Sequence, residues 1–497
     1  MNRREFIGSM VGVGVAHAGR LQAVSLPPTP PRGGGGGGGR LKVGLLSDIH
    51  VTNKTPGRRD SNEHFLKALR YFDEQKVDAV LVAGDLFTSG GIDQLEIVAE
   101  TWYAVFPNDT ASDGRHVERL FVTGNHDLDD WIYHKKSDET MEQLAARWKD
   151  RAFAFHRQET WRRLFNEDYE PYRVKTVKGY PFLLCNWPST YHKEHTPIVE
   201  AFRKHGAELA KAKVFFYCQH DQPDDTVNAS WLLGGERWEN GQDNGLSTKV
   251  LSDYPNCVCF SGHSHNSLAD ERSIWQGAFT AVNCGCLVGW AFSGPGRENG
   301  HDCDPRPLAR EMRVFSEMTN VYQGLVMTVY DDCITFRRRE FVFGGVLGDD
   351  WVVPLDTKDR PYAFASRADA SQAPRFAANA RVVVETIEKG VDRAGRVHPQ
   401  VEVRFPSVTS ATGGDRAHDY AVRMEMQIGD VVRIVDEKRV YSDWFMFAEK
   451  DDLRDVACRF ALAAVPVGRP VRFVVTPVNC WLKAGNSIAS AWAVLRA

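Results

Sequence analysis

Five short apolar runs in this chain each break off at a cluster of His, Asp or Asn, and that repeated ending limits the fold more than any other feature. Residues 42–47 stop at Asp48-Ile49-His50, and residues 77–83 stop at Gly84-Asp85. Residues 120–123 run into Gly124-Asn125-His126-Asp127, residues 214–217 end just before His220, and residues 257–260 run into Gly262-His263-Ser264-His265. Short apolar runs bounded by turn residues predict buried strands. Between the first two, Asp60 with Glu63 three residues on makes a capping-box pattern. Phe65, Leu69 and Phe72 then recur at helical spacing, which predicts a helix. Strands alternating with helices predict an open α/β sheet, where ligand sites collect beyond the carboxyl ends of the strands. The polar groups are therefore expected to converge in one crevice.

The α/β region is expected to span 41–346 and to close with a strand at 324–330 and another containing Ile334 and Phe336. Residues 347–375, with Pro354, Pro361 and Pro374, read as a connector. After it the period changes. Val401, Val403 and Phe405 alternate with Glu402 and Arg404, while Tyr420, Val422, Met424, Met426 and Ile428 alternate with Ala421, Arg423, Glu425 and Gln427. With apolar pairs or runs at 382–384, Val432/Ile434, Phe460/Leu462, Phe473/Val475 and 488–494, this predicts about seven short strands in a small β-sandwich over 376–497. Such a sandwich resembles a fibronectin type III module.

Residues 1–40 are expected to be a leader and a tether. Arg3-Arg4-Glu5-Phe6-Ile7, a weakly apolar run to Val15 and Ala16-His17-Ala18 come in signal-peptide order. The paired arginines resemble the twin-arginine export signal, with Asn2 and Gly8 where Ser/Thr and Lys are usual. An apolar run this short falls below the roughly 20 residues that span a bilayer, which favours removal or loose anchoring over a stable transmembrane anchor. The expectation is a periplasmic or cell-surface protein with the twin-arginine export machinery as a partner and no membrane span once mature. Prolines at 27–31 and seven consecutive glycines before Arg40 make a flexible linker. That leader carries five Arg and one Glu, so a chain of net charge −4 is at −8 beyond it, which gives no electrostatic footprint for duplex nucleic acid. A content of 43% hydrophobic and 25% charged residues disfavours general disorder and a multispanning membrane protein. Ten cysteines without a paired Cys-x-x-Cys are expected to be mainly buried thiols, with Cys257/Cys259 and Cys284/Cys286 at strand spacing.

Carboxylate, imidazole and carboxamide groups suit borderline divalent or trivalent metals, and two ions about 3.5–4 Å apart can share one carboxylate. Each short motif is weak alone, but all of them occur here in order, each just after a strand. Together, Asp48-x-His50, Gly84-Asp85, Gly124-Asn125-His126-Asp127, His220 and Gly262-His263-x-His265 make the chain resemble the calcineurin-like metallophosphoesterase superfamily. That resemblance covers residues 42 to about 345. It implies an αββα sandwich of two mixed sheets flanked by helices. One metal would be held by Asp48, His50 and His265, the other by Asn125, His220 and His263, with Asp85 bridging. His126 would be the leaving-group acid or transition-state donor. The implied chemistry is hydrolysis of a phosphate mono- or diester in a small phosphorylated substrate by a hydroxide between the two ions, which are Mn, Fe, Zn or Ni.

Departures narrow the field. Gly84-Asp85-Leu86-Phe87-Thr88-Ser89-Gly90 lacks the Asp-Arg-Gly of the superfamily's protein phosphatases. Thr88 stands where purple acid phosphatases place a tyrosine ligand and where the double-strand-break nucleases place a histidine. The Gly-Asp-Leu start and Gly90 are similar to small phosphodiesterases of the cyclic-nucleotide type. Trp131, Tyr133, His134, Asn186, Trp187 and Asn283 are candidate substrate contacts, with loop anchoring the commoner role for aromatics. His192 and His195 form no metalloprotease motif, and Arg337-Arg338-Arg339 is expected to edge a sheet. The competing functional class is a catalytically silent binding or adhesion protein whose metals only stabilise the fold.

Overall fold

A computed structural model describes residues 39–53, 61–228, 230, 245–288, 291–292, 314–315, 322–356, 358–391, 395–408, 412–442 and 455–495. The expected export signal and nearly all of the tether lie outside the described residues. All described residues belong to one compact unit.

The first sheet starts with β1 (Leu41–Leu46), β2 (Ala79–Ala83) and β3 (Glu118–Val122), which pair in parallel. A second sheet is built from the hairpin β4 (Tyr172–Val177) and β5 (Tyr180–Cys185), then β6 (Phe215–Cys218), β7 (Cys257–Ser261), β8 (Ile274–Gln276) and β9 (Thr280–Asn283). A short ladder, β10 (Ala291–Phe292) with β11 (Val314–Phe315), follows. The chain then returns to the first sheet with β12 (Gln323–Val329), β13 (Cys333–Glu340) and β14 (Trp351–Pro354), all antiparallel to their neighbours. The strand orders are β14-β13-β12-β1-β2-β3 and β4-β5-β6-β7-β9-β8. Both sheets are mixed, as expected.

Period-two alternation sorts each strand's side chains between two layers. Leu41, Val43 and Leu45 of β1 and Leu81 of β2 meet Phe182, Phe216, Val258 and Phe260 of the second sheet in one core between the sheets. On the far side of the first sheet, Leu46, Val80 and Val82 pack on α1 (Ser61–Glu74) through Phe65, Leu69 and Phe72, and on α2 (Ile92–Val105) through Leu95, Val98 and Trp102. Beyond the second sheet, Leu183, Phe215, Tyr217, Cys257 and Cys259 pack on the helix Ile198–Leu209. The layers are therefore helix, sheet, sheet, helix: the metallophosphoesterase α/β fold. Cys257/Cys259 and Cys284/Cys286 are buried, as expected.

One sequence expectation differs from the structure. Trp351–Pro354, assigned to the connector, is the edge strand of the first sheet, with Trp351 and Val353 turned inward. Its Pro354 is tolerated because an edge residue need not donate on its outer side. The arginine run lies on β13 just beyond the stretch that pairs with β14, with β12 as its strand partner; Arg338 takes an inward position and pairs with Glu271 at 2.7 Å. Arg337 pairs with Asp350 at 3.1 Å, and Arg339 lies over the Tyr71 ring.

The C-terminal region is all-β. Its three-stranded sheet orders β15 (Val383–Val391), β16 (Val397–Phe405) and β19 (Val456–Ala461). The four-stranded sheet orders β18 (Val431–Tyr441), β17 (Asp419–Ile428), β20 (Val471–Val478) and β21 (Ile488–Ala489). Val401, Val403, Phe405 and Phe460 from the first share a core with Tyr420, Val422, Met424, Phe473 and Val475 from the second. Every ladder here is antiparallel. Among the described residues, no helix is long and apolar enough to cross a membrane.

Candidate metal centre

Parallel neighbours end on the same side of their sheet, so the loops after β1, β2 and β3 are brought together, as are those after β6 and β7. Backbone hydrogen bonds tie these loops to one another. The amides of Asp48 and His50 donate to the Gly84 and Asp85 carbonyls at 3.0 Å, and the Gly262 amide donates to the His220 carbonyl at 2.9 Å. Asp127 adds a second staple: its carboxylate accepts from the amides of Gly124, Leu86 and Phe87 at 2.8, 3.2 and 3.0 Å.

The motif glycines allow this approach. A β-carbon at Gly84 would strike the His220 ring, one at Gly124 the Asp85 carboxylate, and one at Gly262 Ser47 and Asp48. Asp48, His50, Asp85, His263 and His265 all have left-handed backbone, with φ of 50°, 50°, 51°, 66° and 51°. That conformation is uncommon for such residues and persists only where its surroundings enforce it.

All seven residues expected to hold metals meet. One group comprises Asp48, His50, Asp85 and His265, and another Asp85, His220 and His263, each with its ligand atoms within 4.8 Å of one another. His265 Nε2 is 3.0 Å from Asp48 Oδ1 and 3.2 Å from His50 Nε2, which is 3.4 Å from Asp85 Oδ2. On the other side of Asp85, His220 Nε2 is 3.2 Å from the same Oδ2, 3.1 Å from Asn125 Oδ1 and 3.1 Å from His263 Nδ1. Asp85 thus faces both groups.

Several observations show that this donor set fits cations. Asp48 Oδ1 and Asp85 Oδ2 are fully buried, and among the described residues they face imidazole nitrogens, at 3.0 and 3.2 Å, without a well-formed hydrogen bond, although a poorly satisfied buried carboxylate oxygen is costly. Imidazole nitrogens 3.1–3.2 Å apart crowd lone pairs or protons that a shared positive ion would satisfy. The ionisation balance is consistent with this. Burial would raise the Asp85 carboxyl, but His220, His126 and His50 outweigh it and hold the group well below the usual carboxylate range. Burial and the neighbouring His126 charge keep His50 low, while burial and His220 push His263 down to about 3. Against the lowering by burial, Asp85 lifts His220 to about 10. Asp85 gathers positive charge, and bound cations would supply it in place of protons.

His126 lies beside this cluster, on the short helix Asn125–Leu128. Its amide donates to Asp85 Oδ1 at 2.9 Å, its Nδ1 is 3.1 Å from the Thr88 carbonyl and 3.3 Å from Asp130 Oδ1, and its side chain is 29% exposed. Burial lowers its ionisation, but Asp85 and Asp130 outweigh that and push it up to about 10. Sequence reasoning passed over Asp130 and Asp221. The signal for Asp130 was its spacing of four residues from His126; that for Asp221 was its place directly after His220.

The aromatic candidates divide. Trp131 is wholly buried, with its indole N–H on the Leu128 carbonyl at 2.9 Å, so it anchors its loop. Trp187 is also buried and donates to Asp129 at 2.9 Å, yet its ring lies 6.0 Å from His220 and 6.1 Å from His263. His134 stacks on Trp148, whereas Tyr133 is 66% exposed just beyond His126. Asn186 bonds to backbone at Thr123 and Glu170, and Asn283 donates to Ser264. His192 lies beside Ser189, and His195 is exposed.

Residues 41–267 match the model of the calcineurin-like phosphoesterase family. Among solved structures, the chain is similar to a dimetal phosphatase from Danio rerio at 11% identity and a TM-score of 0.36, covering 64% of this chain and all of that one. It is also similar to a purple acid phosphatase from yellow lupin seeds at 13% identity and a TM-score of 0.40, covering 63% of this chain and 53% of that one. No curated protein matches the chain.

Proposed function

We propose that this protein hydrolyses phosphate ester bonds, in monoesters or diesters of a small substrate, at a centre of two metal ions. The observation that carries the reading is the meeting of Asp48, His50, Asp85, His220, His263 and His265 in two buried groups that share Asp85. Asp48, His50 and His265 would hold one ion and Asn125, His220 and His263 the other, with Asp85 common to both. When bound, such ions neutralise charge on phosphoryl oxygens and make a nucleophile available from water near neutral pH.

The chain's own groups supply the rest. His126, more open than the buried ring of His220, holds its Nδ1 against the Thr88 carbonyl and Asp130, which leaves Nε2 for a substrate oxygen. That arrangement suits a donor to the leaving group. Tyr133 is the candidate exposed aromatic contact for the remainder of the substrate.

The test is turnover of an aryl phosphate monoester, its diester and a panel of nucleotides by metal-replete protein. His220→Ala is expected to lose bound metal and rate together. His126→Ala is expected to keep its metal and lose about 10²- to 10⁴-fold in rate. Full hydrolytic rate in both variants would sink the proposal. No turnover on any ester, with two ions bound, would leave the catalytically silent class in its place.

A further inference from the structure

Of the four imidazole rings in the centre, three are turned alike and one is not. His50 and His265 face each other through Nε2, and His220 also presents Nε2, because its Nδ1 lies 2.8 Å from the Ala83 carbonyl. That carbonyl can only accept, so a proton belongs on Nδ1 and Nε2 is the nitrogen whose lone pair an ion would take. His263 is reversed. Its Nδ1 lies 3.1 Å from His220 Nε2, inside the cluster, while its Nε2 points away and meets Asp221 Oδ1 at 3.4 Å.

A neutral imidazole offers one lone pair and carries one proton, and in a buried site the nitrogen facing away from a metal needs an acceptor for that proton. Asp221 is the group placed to accept it from His263, with Oδ1 3.4 Å from Nε2. It is a carboxylate rather than a carbonyl, it is fully buried, and it follows the ligand candidate His220 directly, so one loop supplies both a ligand and the group that orients another. The His263 amide is fixed separately, donating to Asp48 Oδ2 at 2.9 Å. Backbone and ring are thus held by two carboxylates, one within the centre and one behind it.

We propose that Asp221 is a positioning residue of the metal centre, holding His263 with Nδ1 turned toward the ion that His220 and Asn125 would share. The proposal rests on the dinuclear reading above. Without Asp221 the ring is free to turn or to move its proton to Nδ1, and either change removes a donor from that ion alone. The ion near Asp48, His50 and His265 keeps its ligands.

The experiment titrates Co²⁺ into metal-free full-length protein and follows visible absorption, with binding stoichiometry measured by equilibrium dialysis. Wild type is expected to take up two ions. Asp221→Ala is expected to take up the first normally and the second with affinity lowered about 10- to 100-fold, with an altered absorption band for that ion. Asp221→Asn, which keeps an acceptor oxygen of the same shape, is expected to lie between the two; it also serves if the alanine variant does not fold. Two ions bound to both variants with wild-type affinity and spectrum would overturn the positioning role while leaving the dinuclear reading intact. Fewer than two ions on wild type would overturn both.

Discussion

Gly262 has no room for a methyl group, since a β-carbon there would overlap Ser47 Oγ and Asp48 Oδ2. Neither neighbour is free to retreat: Ser47 Oγ donates to the Ala83 carbonyl at 2.9 Å, and Asp48 Oδ2 accepts the His263 amide. Gly262→Ala is therefore expected to cost about 1–3 kcal/mol, the usual range for overpacking, and to lower bound metal, measured by urea denaturation and by metal content. At this scale the sequence was informative about identity and silent about conformation. Asp, His and Asn at strand ends announce metal chemistry through their donor atoms. That five of them adopt left-handed backbone, or that Asp130 and Asp221 stand behind His126 and His263, depends on contacts across distant loops and leaves little local trace.

β17 shows what an element adds. Its apolar alternation is plain in the sequence, and Tyr420, Val422 and Met424 are all fully buried. Tyr420 does two things there: its ring packs on Phe376 and Phe405, at 6.0 and 4.9 Å, and its hydroxyl accepts the Val408 amide at 2.7 Å. Tyr420→Phe is expected to cost roughly 1–3 kcal/mol by leaving a buried amide unsatisfied. Tyr420→Ala should cost more, about 3–5 kcal/mol, through the cavity. Denaturation midpoints of the two variants check the order, and equal losses would contradict it. Strand-scale alternation also decides what sequence reasoning left open. Period two carries Ile334, Phe336, Arg338 and Glu340 to the buried side of β13, so the middle arginine turns in to meet Glu271 while its neighbours turn out. The run lies past the end of the β14 pairing, and the alternation sets which of its three arginines is buried. β14 escaped notice because three residues between aspartates and a proline are too few to show a period.

Across the whole molecule, the all-β region joins the α/β region through buried charge close to the centre. Asp270, five residues after His265, is held by Arg272 at 3.0 and 2.7 Å and by Asn228 at 2.7 Å. His418, at the start of β17, stands 3.7 Å from Asp270 and 2.7 Å from Asp419, and Asp419 accepts from Arg439 at 2.7 Å. Burial lowers the His418 ionisation, and the opposing pull of Asp419 does not restore it. A ring kept neutral in the fold protonates first in the unfolded chain, so its contribution is full above pH about 6.5 and is lost as pH falls from there toward the folded value. Wild type is expected to lose stability between pH 7 and 5 more steeply than His418→Gln, by at most about 1.4 kcal/mol per pH unit, read from denaturation midpoints across that range. Parallel curves would exclude the role. The sequence by itself determined the strand-then-polar-cluster pattern of the first region, the change from α/β to β, and which side chains are candidates to hold metal, because periodicity and donor type are local properties of the chain. Only the tertiary structure decided that one carboxylate, Asp85, faces both groups of candidate ligands, that Asp221 stands behind His263, and that the two regions share a buried charged seam. Those features arise where segments far apart in sequence are pressed into contact, and no stretch of residues encodes a contact with one that it does not know.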